Sequence, residues 1–204
     1  MNPVISTDYC DLNFSITGKS LPIDHSYSLY AAISKRLDNH LPDGVGITPV
    51  FSPVRAGSYL VLDHSFLRIR TPNEHIGTLL KLSGTQLEVE NNRCIVGVPN
   101  VYPIVSAQNL FSPFVTFKNA LTEEQFLQTA TKMLESKGIT AKPTIPLNSK
   151  GFIQRKVRSI KGSKIVGFAC SIDNLTPDQS LMLLCEGLGG RRHMGAGIFM
   201  HKKG

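Results

Sequence analysis

From Gly187 to Phe199 the chain reads Gly-Leu-Gly-Gly-Arg-Arg-His-Met-Gly-Ala-Gly-Ile-Phe, five glycines with Arg191, Arg192 and His193 among them. Lacking a Cβ, glycine lets backbone N–H groups approach a phosphodiester closely, and the arginine fork adds paired, charge-assisted hydrogen bonds. The segment predicts a phosphate cradle built from Gly189, Gly190, Arg191, Arg192 and His193. A helix C-cap followed by glycines needed for a tight turn is the alternative, although a cap alone needs only one glycine. Upstream, Lys150, Arg155, Lys156, Arg158, Lys161 and Lys164 line a predicted hairpin with Phe152 and Ile153 interleaved. That pattern suits a nucleic-acid backbone, with cations for phosphate and an aromatic ring for a base. A lysine-protected edge hairpin in solvent is the alternative.

Other chemistries find little support. Gly18-Lys19-Ser20 ends like a nucleotide-binding phosphate loop, but Asn13 stands where its first glycine belongs. The glycine spacing after residue 187 does not fit a dinucleotide fingerprint. Cys10, Cys94, Cys170 and Cys185 form no C-x-x-C pair, and His193 and His201 have no cysteine or carboxylate at ligand spacing. Neither a metal nor another cofactor is expected, and the cysteines read as small core residues.

The net charge of +7 is localised. Residues 1–138 carry 11 Lys/Arg against 12 Asp/Glu, a balance of −1, whereas residues 139–204 carry 11 against 3, a balance of +8. Such asymmetry points to a polyanion-binding face, with nucleic acid as the ligand. At 204 residues and 41% hydrophobic content the chain can fill one large domain or two of about 100 residues. Its longest apolar run, Leu181 to Cys185, is far too short for a membrane span, and the first residues lack a secretory pattern. A cytoplasmic location is expected.

The elements that must position these residues follow from periodicity. Cys10, Leu12, Phe14 and Ile16 alternate with polar residues as in a half-buried strand. Asp24 is placed to cap a helix to about Asn39 with Leu29, Tyr30, Ile33 and Leu37 on one face. Strands are expected at 46–52, 58–62 and 65–70, a short helix between Pro72 and Gly84, and strands at 85–89 and 93–98 joined by Asn91-Asn92. After a proline-interrupted stretch, 99–113, the order repeats: a strand at 114–118, a helix from a Thr122/Gln125 capping box to Lys137, and strands at 140–145, 152–160 and 164–172. A helix from a second box, Thr176/Gln179, then runs to Glu186, with a last strand at 198–201. The expectation is an α+β protein of two tandem ferredoxin-like βαββαβ units with antiparallel sheets, residues 1–105 and 106–204.

The stretch Leu21-Pro22-Ile23-Asp24-His25-Ser26-Tyr27-Ser28-Leu29-Tyr30, paired with the glycine-rich segment that opens at Gly187, resembles the CRISPR-associated endoribonucleases that cut precursor crRNA within its repeats. These belong to the repeat-associated superfamily of tandem ferredoxin-like RNA-binding proteins, and the resemblance is closest to their compact, myxobacterial-type branch. It implies metal-independent cleavage, with CRISPR repeat RNA as partner and other CRISPR effector subunits as further candidates. In that chemistry the ribose 2′-hydroxyl attacks the adjacent phosphate and leaves a 2′,3′-cyclic phosphate and a 5′-hydroxyl. A noncatalytic RNA-binding subunit of a CRISPR effector, with the same fold and basic face, is the alternative.

Such a reaction needs acid–base help, which histidine supplies near neutrality. The resemblance places the catalytic histidine on or beside the first helix, leaving His40 at its end, favoured, and His25 at its start, which could instead brace the helix. Tyr30 and Ser34, four residues apart on that helix, could orient the attacking hydroxyl, although Tyr30 also reads as a core aromatic.

Overall fold

A computed structural model describes residues 2–148, 150–153, 155–160 and 162–202. The chain divides into two compact units, Thr7–Pro103 and the described residues of Met1–Ser6 with Ile104–Gly204. The expected boundary near residue 105 therefore differs at the start of the chain. Val4 and Ser106 explain the difference: the Val4 N–H donates to Ser106 Oγ at 2.8 Å and the Ser106 N–H returns a bond to the Val4 carbonyl at 2.8 Å.

The unit Thr7–Pro103 contains all but the first two residues of β1 (Ile5–Gly18), then β2 (Ser20–Pro22), α1 (Ser26–Arg36), β3 (Gly46–Ile47), β4 (Val54–Ala56), β5 (Tyr59–Val61), β6 (Ser65–Pro72), α2 (Ile76–Leu80), β7 (Gln86–Val89) and all but the last two residues of β8 (Asn92–Val105). Its main sheet has the order β3-β6-β1-β8-β7, and β2, β5 and β4 form a small separate sheet. Alternation along β1 buries Leu12, Phe14 and Ile16 against Leu29 and Ile33 of α1 and Leu67 and Ile69 of β6. On its other face β1 carries Asp11, ladder partner of Arg70, whose Nε and Nη2 donate to the two carboxylate oxygens at 2.8 Å each. Both side chains are nearly inaccessible, so each charge depends on the other.

The second unit runs β9 (Leu110–Val115), α3 (Glu123–Ser136), β10 (Pro143–Thr144), β11 (Arg155–Ile160), β12 (Ser163–Ile172), α4 (Pro177–Glu186) and β13 (Met200–His201). Its sheet has the order β10-β12-β9-β13, with β11 also paired to β12. That order matches β3-β6-β1-β8: in each unit the first strand lies between the third and the last. Both are ferredoxin-like βαββαβ units. Thr122 and Thr176 accept the N–H of Gln125 and Gln179 in complete capping boxes, and Pro177 takes the first turn of α4. Phe126 of α3 packs between Phe117 and Phe168, with ring centroids 5.1 and 5.0 Å away.

Several boundaries move for identifiable reasons. The stretch 99–113 is largely strand: Pro99 and Pro103 fall beyond Ile95, where β7 pairing of β8 ends and no ladder bond to that neighbour is required. The β7–β8 turn is Glu90-Asn91, one residue earlier than expected, because Val89 pairs Asn92. No side chain caps α1, so Asp24 does not serve as its cap, and α1 stops at Arg36. Among the described residues no helix is long and apolar enough to cross a membrane.

Candidate functional site

Within the first unit the two histidines of interest have opposite environments. His25 is fully buried; its Nδ1 lies 2.7 Å from the Pro22 carbonyl and its Nε2 accepts the Val50 N–H at 2.9 Å. An N–H donor at Nε2 means that nitrogen carries no proton, so Nδ1 carries it and donates to Pro22. The ring thus ties the start of α1 to the end of β2 through Nδ1 and to the segment after β3 through Nε2. This is the geometry expected of a brace at the helix start, the alternative that the sequence offered for His25.

His40 is exposed immediately after α1. The helix closes when the Asn39 N–H reaches back to the Ser34 carbonyl at 2.8 Å, and the His40 N–H then bonds the Leu37 carbonyl at 2.9 Å. Asp38 and Asn39 both adopt left-handed backbone, φ 55° and 60°. α3 closes with the same backward bond, Ile139 N–H to the Leu134 carbonyl, but there glycine, Gly138, takes the left-handed position. Two consecutive side-chain-bearing residues in this region cost the fold about 1 kcal/mol or more each, and they fix the departure of the chain into His40.

Tyr30 is half-buried and packs against the core, whereas Ser34 is buried at 9% exposure. Of the two residues, Tyr30 is the more exposed. Among the described residues no group of three or more His, Cys, Asp or Glu side chains could hold a metal ion.

In the second unit the glycine-rich segment differs from an open cradle. The N–H groups of Leu188, Gly190 and Gly197 donate to the carbonyls of Gly197, Thr116 and Phe114 at 3.1, 3.2 and 2.8 Å. These amides are consumed in seating the loop on the end of β9. Gly189 is required there: its φ is 83°, and a Cβ would come 2.6 Å from the Thr116 carbonyl oxygen. Gly190, by contrast, is exposed and has open space where a side chain would sit.

The cations divide as well. Arg191 is exposed, and His193 is half-buried. Arg192 turns inward and donates from Nη2 to the Cys185 carbonyl at 2.6 Å, satisfying one of the last acceptors of α4. On the hairpin, Lys150, Arg155, Lys156 and Lys164 are exposed and Phe152 is 67% exposed, while Ile153 is half-buried. Lys161 lies outside the described residues. Register splits the remaining charges between two faces: Arg155 pairs Phe168 and Lys164 pairs Ser159 on the α3 side, and Lys156 and Arg158 point to the other. Arg158 is not a free cation for phosphate, since its Nη1 donates to the carbonyls of Met194 and Gly195 at 2.9 and 3.2 Å and its guanidinium stands 4.2 Å from the Phe114 ring centroid. Phe114 and Thr116, which seat the loop, gave no sign of that role in the sequence because they act through backbone carbonyls and a ring face.

Comparison with known proteins places this arrangement. The family profile described as Cas6 Crispr matches residues 10–204. The chain is 34% identical over 193 residues to the CRISPR-associated endonuclease Cas6 of Myxococcus xanthus (strain DK1622), covering 94% of this chain and 81% of that protein. Among solved structures, a CRISPR associated protein Cas6 aligns with a TM-score of 0.65 at 16% identity, covering 96% of this chain and 99% of the other. A structure described as an RAMP protein binding different RNA substrates aligns with a TM-score of 0.64 at 14% identity, covering 96% and 100%. At such identities these two structures establish the shared fold.

Proposed function

The chain belongs to the Cas6 family of CRISPR-associated endonucleases, and on that premise we propose that it cuts CRISPR repeat RNA, releasing mature crRNA from its precursor without a metal ion. The observation that carries this reading is the 34% identity to an endonuclease along 94% of the chain. In the proposed reaction a base takes the proton of the ribose 2′-hydroxyl, the oxygen bonds to the adjacent phosphorus, and the phosphorus–O5′ bond breaks. The departing 5′ oxygen accepts a proton, leaving a 2′,3′-cyclic phosphate and a 5′-hydroxyl. His40 is the proposed acid or base, supported by its exposure and by the engagement of both His25 nitrogens. Tyr30, one turn before the buried Ser34, is the proposed hydroxyl that orients the nucleophile.

RNA contact is proposed for the exposed Lys150, Arg155, Lys156 and Lys164 of the hairpin and for Gly190, Arg191 and His193 of the loop. A cellular transcript as substrate puts the activity in the cytoplasm, where the product would meet other CRISPR effector subunits. The test is incubation with a short repeat RNA in EDTA, followed by analysis of product ends. Cleavage to cyclic phosphate and 5′-hydroxyl termini is expected. Cutting only after a divalent metal is restored, or 5′-phosphate ends, would overturn the metal-free mechanism.

A further inference from the structure

We infer that Arg158 is a positioning residue for RNA binding, holding the glycine-rich loop so that Arg191 is presented to the RNA, rather than a phosphate ligand itself. The inference rests on the RNA-binding reading above. Arg158 reaches from β11 to two successive loop carbonyls, Met194 and Gly195, while its guanidinium lies over Phe114. The Met194 N–H in turn donates to the Arg191 carbonyl at 2.9 Å, and the Ala196 N–H to the same oxygen at 3.3 Å. Two links therefore connect the guanidinium to the backbone of Arg191.

Arg191 itself is the odd residue of the loop. Gly187, Gly189, Gly195 and Gly197 all take positive φ, and Arg191, at φ 65°, joins them with a full side chain. Folding alone would be served better by glycine at that position, since an L side chain there is strained. An exposed arginine held at an unfavourable backbone angle by two hydrogen bonds on its carbonyl has a use outside the fold.

The clamp needs an arginine. Its planar fork can bridge two carbonyls while stacking on a ring, and the compact ammonium of lysine cannot do both. A phosphate contact, in contrast, would survive largely intact in Arg158→Lys.

The test combines Arg158→Lys, Arg191→Ala and the double variant in binding to a labelled repeat RNA, with hydrogen exchange of the free protein. Faster exchange at Met194, Gly195 and Ala196 is expected in Arg158→Lys, with the thermal midpoint little changed. Each single variant is expected to weaken binding by about tenfold, and the double by little more than either, because Arg158 acts through Arg191. Unchanged loop exchange overturns the clamp. Losses that multiply to about a hundredfold overturn the dependence on Arg191 and make Arg158 an independent contact. A wild-type protein that binds no repeat RNA would overturn the RNA-binding reading and this use of it, while the exchange arm still reports separately whether Arg158 holds the loop.

Discussion

The backbone N–H of Val50 donates to Nε2 of His25 at 2.9 Å, in the buried interior of the first unit. This one bond separates the two histidines flanking α1, because an imidazole that accepts from the backbone and donates to Pro22 has no nitrogen left for proton transfer.

His25→Ala is accordingly expected to act on stability. It leaves the Val50 N–H and the Pro22 carbonyl without their partner, at a cost of about 2 kcal/mol or more, visible as a lowered denaturation midpoint. His40→Ala is expected to leave the midpoint unchanged and to slow repeat-RNA cleavage by about 10² to 10⁴-fold with binding retained. Wild-type cleavage by a folded His40→Ala protein would remove His40 from the reaction.

Neighbouring glycines should behave differently. Gly189→Val forces a branched side chain onto φ 83° and against the Thr116 carbonyl, so a loss of several kcal/mol and poor yield of folded protein are expected. A Cβ at Gly190 meets no atom within 4 Å, so Gly190→Val should fold. Its effect, read by RNA titration, is a loss of affinity from the side chain keeping the RNA backbone away. Full affinity in Gly190→Val would show that RNA does not approach the loop at that point.

Salt dependence separates cations that meet phosphate from those spent on the fold. Lys156→Ala and Arg191→Ala should each reduce the slope of log affinity against log salt by about 0.7, the release expected per single-stranded phosphate contact. Arg192→Ala removes the bond to the Cys185 carbonyl and should lower stability while changing the slope less. The triple replacement of Arg155, Lys156 and Arg158 combines both kinds of effect, because the ladder sends them to two faces and Arg158 to the loop.

The four cysteines are all buried and reduced. Burial pushes the thiol of Cys94 up to about 11 and that of Cys170 to about 12, and burial with the neighbouring Asp11 carboxylate also raises Cys10. Groups whose folded pKa is raised keep their full contribution below the ordinary value of 9.0 and lose it as pH climbs towards 11 to 12. Denaturant midpoints should therefore fall over that alkaline range, and Cys→Ala at position 170 should flatten the fall. Native protein at pH 8 should react slowly with thiol reagents, and rapid labelling of Cys170 would contradict its burial.

Much of this architecture was legible from short-range chemistry. Both capping boxes, the alternation of β1 and the end of α3 at Gly138 are local signals, and the strand and helix order they imply is the one observed apart from β2 and β4, which were not expected. The expected end of α1 near Asn39 lies three residues past the observed one because Asp38 and Asn39 tolerate left-handed backbone without advertising it as glycine does. The proline-rich stretch after residue 99 reads as loop until one knows that β7 has already stopped pairing there. For the candidate site, charge and glycine content single out segments, but not the direction each group faces. Arg158 and Arg192 look like Arg155 and Arg191 in a sequence; only the backbone carbonyls they hold, in the loop and at the end of α4, tell them apart.

The pairing of Asp11 with Arg70 has a consequence for how the first unit reaches its register. The two are ladder partners 59 residues apart, so the carboxylate on β1 waits for a strand that arrives after α1 and the small sheet. Sliding β6 by one residue would turn Arg70 to the apolar face, and sliding it by two would set it against Asn13 or Tyr9, stranding a buried guanidinium in either case. Misaligned versions of this sheet are thereby penalised individually, and the correct alignment becomes the one arrangement in which both charges can leave water together.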